Sequence, residues 1–313
     1  MKTMVCLLKR EFWEHKGMFL WTPLCVAGAM IFVFVLPFLR GHALFGARIL
    51  GRVAAFKEDI PKVSDLLANM YVLFSGPLLA VMSIIIFFYC LGSLFDDRRD
   101  RSILFWKSLP VSDFQTVLSK LFTASLIVPV IFFLCAIAMS FIMLMIVSIA
   151  LATQDVYVFQ ELFANGKLYL APLQLLGTLP VYILWALPSI GWLMLVSSWA
   201  NSKVFLWAVG IPLLLVFLVG MLDLLTGQDG NLKWFSELIV GRALGGIFPG
   251  AWVAFEHISP STFTRPSGVG VNFGRIFFAS WQTMLSLQLW LGVVVAAGMF
   301  YLTVRLRRWR EAA

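Results

Sequence analysis

Apolar and polar positions in this chain are segregated into long blocks. Six apolar blocks occupy residues 18–39, 71–94, 121–151, 173–199, 204–225 and 283–304. Each exceeds the ~20 residues that carry a helix across a hydrocarbon layer of ~30 Å. In lipid a spanning segment must satisfy its own backbone hydrogen bonds, which a helix does. The pattern therefore predicts an all-α polytopic membrane protein with six transmembrane helices. The third block would be about 46 Å long at ~1.5 Å per residue, more than the bilayer needs. It is expected to tilt, to kink near Pro129 or to extend past the lipid. Pro180 and Pro188 in the fourth block and Gly210-Ile211-Pro212 in the fifth mark further expected kinks, their freed carbonyls satisfied by neighbours.

The pieces between the blocks are unequal. Residues 1–17 set Val5, Leu8, Phe12 and Trp13 on one side at helical spacing and Lys2, Lys9 and Lys16 on the other, the pattern of an amphipathic interfacial helix. In the connector after the first block, Ile60-Pro61 is expected to break any helix. The connector 226–282 contains a second apolar stretch, 238–255. It carries Arg242, Gly245-Gly246 and Pro249-Gly250. An arginine centred in a span costs about 2.5–3.5 kcal/mol on insertion scales, so this stretch reads as a re-entrant or interfacial segment.

The longest charged island, residues 95–120, lies between the second and third blocks. Four acids (Asp96, Asp97, Asp100, Asp113) and five bases (Arg98, Arg99, Arg101, Lys107, Lys120) flank an apolar plug of Ile103, Leu104, Phe105 and Trp106. An apolar centre with aromatic anchors and a charged rim is the composition of an interface hot spot. With so small a net charge the island is a poor anionic-lipid patch. Ser112 or Asp113 is a good N-cap for the helix entering the third block.

Composition agrees with the pattern. Hydrophobic residues make up 61% of the 313 and charged residues 13%, far from the roughly 45–50% and 25% of soluble domains. The net charge of +8 is read as membrane-directed, with no nucleic acid implied. Fourteen Lys/Arg cluster beside spans in the N-terminal helix, the island, the 198–203 hairpin and the 305–313 tail, against ten spread through long connectors. The positive-inside rule then makes the island and both termini cytoplasmic and the 226–282 connector extracytoplasmic. A seventh crossing at 238–255 would put the Arg305, Arg307, Arg308 and Arg310 cluster outside, so six crossings are preferred.

Several chemistries lack their motifs. No GxxxxGK[ST] phosphate loop occurs, and Gly166-Lys167 is followed by Leu168. His15, His42 and His257 belong to no metal-binding spacing, so no metal site is expected. The four cysteines form no CxxC pair and read as small hydrophobes. The blocks are nearly free of the buried acids and lysines that proton-coupled carriers use, Asp223 lying near a polar end. This chain reads as non-catalytic.

The order of interfacial helix, two spans, charged loop, three spans, long connector and last span resembles the permease subunit of ABC-2 type exporters. The closest match is the island, where Asp96-Asp97-Arg98-Arg99-Asp100-Arg101 leads through Ser108-Leu109-Pro110-Val111-Ser112 to Lys120. The resemblance implies a bacterial inner-membrane subunit that pairs with a second permease, identical or related. Two copies of a separate ATPase subunit would carry ATP and Mg. The ATPase would dock on Asp97, Arg98, Arg99, Arg101, Ile103, Leu104, Phe105 and Trp106, with Phe12 of the first helix. Spans two and five would line the translocation path, with Phe74, Phe87, Phe88, Phe205, Trp207 and Phe217 as candidates for an aromatic wall suited to an amphiphilic cargo such as a drug, lipid or peptide. The rival readings are a membrane scaffold that recruits a cytosolic partner without transport, and an ATP-independent carrier.

Overall fold

A computed structural model describes residues 2–39, 60–100, 111–153, 155–226, 235–259 and 272–310. Among them the chain is all helix, with six helical segments long and apolar enough to cross a membrane. The N-terminal helix α1 (Lys2–Glu14) leads through a π-helical turn, Gly17–Trp21, into α2 (Thr22–Leu39). Next come α3 (Ile60–Gly92) and the short α4 (Phe95–Arg99). The third span joins α5 (Asp113–Phe122), a π turn Thr123–Ile127 and α6 (Val128–Ala152). After the short α7 (Phe159–Ala164), the fourth joins α8 (Gly166–Gly177) and α9 (Leu179–Trp199); α10 (Val204–Thr226) is the fifth. A π-helical segment, Glu237–Gly245, and the short α11 (Ala251–Phe255) precede α12 (Phe273–Gln282) and the last span, α13 (Leu287–Arg310).

Proline placement departs from the sequence expectation at one place and follows it at others. The residues before Ile60-Pro61 lie outside the described residues, so the expected break there falls at their edge. Pro180 opens α9 after a break at Thr178, so it is a boundary and not a mid-helix kink. Near Pro129 the chain accommodates the ring with the π turn just before it. Pro212 stays inside α10 and frees the Ala208 carbonyl, which accepts the indole N–H of Trp192 at 3.0 Å.

The core lies on α3, α6 and α9, where Leu78, Met82, Ile86, Phe132, Tyr182 and Trp185 are buried. Helices α9 and α13 pack closely because Gly191 leaves room: a Cβ there would lie 3.4 Å from the Ala296 carbonyl oxygen. The hydrophobic windows of α3 and α8–α9 are 61% buried, those of α2, α10 and α13 only 11%, 17% and 17%. The outer helices thus keep faces for lipid or another chain.

The 238–255 stretch is not one of the six span-length helices. It turns at Gly246–Gly250, where Gly250 takes the left-handed φ of +87° that suits glycine. The turn is stitched into the bundle: Ser83 and Tyr182 hydroxyls donate to the Ile247 carbonyl at 2.9 and 3.0 Å, and Ser189, in the middle of α9, donates to the Arg242 carbonyl at 2.6 Å. The segment therefore folds back on itself, packed against mid-helix positions of its neighbours.

Candidate functional site

One end of the bundle collects nearly all the charge that the sequence places beside spans. Helix α1 presents Leu7 and Glu11, one turn apart, to the protein, with both side chains buried. Val5 and Trp13, which the sequence groups on the apolar side, are exposed. Glu11 accepts from the Lys120 ammonium at 3.0 Å and from the Tyr89 hydroxyl at 3.0 Å. Lys120 also pairs with Asp97 at 3.4 Å, and Arg307 of α13 faces Asp97 at 3.8 Å and Asp113 at 3.5 Å. Two cations thus face three carboxylates, joining α1, α3, α4, α5 and α13 in one node.

Lys120 and Glu11 are each only 3% exposed at the side chain. Burying either alone would cost several kcal/mol, so each requires the other. Burial pushes the Glu11 carboxyl up, but the Lys120 charge and hydrogen bond, with that of Tyr89 and the nearby His15, outweigh it and leave its pKa below the ordinary glutamate value. Helix α5 is aimed into the node by a capping box, Ser112 accepting from the Gln115 N–H while the Gln115 side chain accepts from Ser112 N–H. Ser112 is one of the two N-caps the sequence offered.

A second fastening lies beside the node. The Ser197 hydroxyl accepts from the N–H groups of Leu94 and Phe95, both at 3.1 Å, and donates to the Leu91 carbonyl at 2.7 Å. Arg98 donates to the Ser197 and Ala200 carbonyls at 2.5 and 2.9 Å. These carbonyls belong to the C-terminal turn of α9, where orphan acceptors and the helix dipole favour a cation. The island's first turn is thereby pinned to the α9–α10 hairpin.

Within the expected docking set, Asp97 and Arg98 make contacts inside the chain, whereas Arg99 is exposed. Phe12 is half-buried, packs on the core and meets Trp13 edge-on at 6.2 Å. Arg101, Ile103, Leu104, Phe105 and Trp106 lie outside the described residues. Of the proposed aromatic wall, Phe87 touches Phe88 and Phe205 at ring-centroid distances of 5.4 and 6.0 Å, linking α3 to α10. Phe88 and Phe205 share an ~870 Å³ groove with Arg98, Arg99 and Lys203. Phe74 instead meets Phe34, Trp207 meets Trp199, and Phe217 is exposed on α10. Among the described residues no three His, Cys, Asp or Glu side chains are grouped to hold a metal ion.

No family model, curated protein or solved structure matches this chain. The site is interpreted from its own geometry. Sequence reading missed Glu11, Arg307 and Ser197 as its organisers. The available signal was an acid on the apolar side of a short amphipathic helix, Glu11 one turn after Leu7.

Proposed function

We propose that this chain is the permease subunit of an ATP-driven ABC-2 type exporter in the bacterial inner membrane, with both termini cytoplasmic. The observation that supports it best is the node at the charged end. A force applied to the island reaches α1 through Lys120 and Glu11, α13 through Asp97 and Arg307, and α9 through Arg98. A chain with no phosphate loop of its own takes that force from a separate ATPase, two copies of which would bind ATP and Mg. A second permease, identical or related, would complete the path, and the uncovered faces of α2 and α10 suit such pairing. The groove shared by Phe88, Phe205 and Arg99 sits where spans two and five meet the island.

The test is co-expression with the ATP-binding-cassette protein encoded by a neighbouring reading frame. Co-purification and nucleotide-dependent flux are expected with the native chain, and both should be lost with Phe105→Asp and Trp106→Asp. Docking and hydrolysis untouched by either substitution would sink the reading, and docking without flux would leave a scaffold.

A further inference from the structure

The groove of about 870 Å³ at the charged end lies where α3, α9 and α10 come together, with Phe88 of α3 and Phe205 of α10 in its apolar wall. Arg98, Arg99 and Lys203 bring three cations to it, and among the described residues no carboxylate lines it. As a sequence the island that supplies two of these is close to neutral, but the fold sorts its charges. Asp97 is turned into the node against Lys120 and Arg307, while Arg98 and Arg99 join Lys203 of the α9–α10 hairpin at the groove.

Arg98 is held by the carbonyls that end α9. Arg99 and Lys203 are exposed and, among the described residues, have no carboxylate at ion-pair distance. Asp96, whose carboxylate lies over Gly92 at the groove's edge, acts on Arg99 from beyond that distance, with Asp100 beside it. Lys203 keeps its place in a left-handed backbone, φ +50°, which glycine or asparagine would adopt at lower cost. The ammonium is what a lysine adds there.

Three helices fix the depth of the groove independently. The second and fourth span-length segments end at Arg99 and Trp199, and the fifth begins at Val204. All three leave the apolar layer here, and the turn at 200–203 is too short to carry Lys203 far from that boundary. Trp199 and Trp207 meet edge-on beside it at 5.1 Å between ring centres, both partly exposed, the placement of indoles at a membrane surface. From the cations the wall runs inward over Phe88 and Ile84, one turn apart on α3, and Phe205 on α10, each more than half exposed. Cations at the boundary above an open apolar wall follow the order of phosphate and acyl chain in a phospholipid, and their excess over carboxylates selects a net negative head.

We propose that this groove binds one anionic phospholipid, its phosphate on Arg99 and Lys203 and an acyl chain along Phe88 and Ile84. The site rests on the spans and the groove and not on the export reading. The test is native mass spectrometry of the full chain released from nanodiscs containing equal phosphatidylglycerol and phosphatidylcholine. The native chain should retain one phosphatidylglycerol in preference to phosphatidylcholine. Arg99→Gln and Lys203→Gly should each lower that preference about fivefold, the ratio one cation contributes near an anionic surface. Lys203→Gly also relieves the left-handed backbone, so a loss of lipid there is not a loss of fold. Lys9→Gln, at an exposed α1 cation outside the groove, should change nothing. Unchanged preference in both Arg99→Gln and Lys203→Gly overturns the site, as does a native chain that retains both lipids equally or neither. An equal fall in Lys9→Gln would reduce the effect to diffuse surface attraction and overturn it too. So would a disulfide between two copies carrying Ser202→Cys with the native cysteines changed to alanine, which would seat a second copy in the groove.

Discussion

The charged end and the 238–255 segment each place a cation inside a membrane bundle, and they solve the problem in opposite ways. Lys120 is enclosed by Glu11 and Asp97, with a tyrosine hydroxyl completing the set. Arg242 has two aromatic faces, a distant glutamine and an open apolar cavity. The first arrangement satisfies its charge internally and so fastens helices together. The second rests its charge on aromatic faces, with Glu256 acting from beyond ion-pair distance. The same physics therefore makes one cation a weld between helices and leaves the other loosely balanced, according to whether carboxylates stand at ion-pair distance.

The largest test of this contrast is Lys120→Met. It strands Glu11 in a buried place, and about 3–5 kcal/mol of stability should be lost, the range for breaking a buried pair from one side. Thermal unfolding in detergent reads the loss, and adding Glu11→Gln should restore part of it. A variant that unfolds like the parent would show that the node is not a weld. Next is Gly246→Ala, which forces a Cβ against the Trp185 backbone carbonyl, a group that cannot swing away. Overpacking of this kind costs about 1–3 kcal/mol, and the accessibility of single cysteines introduced along the 238–255 stretch should rise as the segment lifts. An unchanged accessibility profile would break the assignment of Gly246 as the contact that lets it in.

The mildest probe is pH. The native pKa of Glu11 lies below its ordinary value, so its contribution is fully present above the unfolded pKa of ~4.5 and fades as pH falls through the lower native value. The parent should lose thermal stability on acidification from about pH 4.5 through the lowered native pKa more steeply than Glu11→Gln. Equal acid slopes in the two proteins would remove Glu11 from the weld.

Much of the fold was legible in the pattern of positions. The six spans, the N-cap at Ser112 and the exclusion of 238–255 from the span-length helices follow from local chemistry: run length, a capping hydroxyl, and an arginine among glycines. Pro180 was legible as punctuation but not in sense, because it begins a helix that the residue types alone do not delimit. The charged island was legible as a special place, yet the roles of its members were not. Asp97 and Arg98 carry the composition of a partner-facing rim and are held by the chain's own α5, α9 and α13.

By itself the sequence determined how many runs are long and apolar enough to cross a bilayer. That follows from the free energy of each segment against water and hydrocarbon, which is summed over neighbours in the chain. Only the tertiary structure decided that Glu11 meets Lys120, that Arg307 meets Asp97 and Asp113, and that Arg242 lies over Trp185 with no carboxylate at ion-pair distance among the described residues. Pairing of that kind depends on which helices pack side by side and at what depth, and residues far apart along the chain carry no local signal of it.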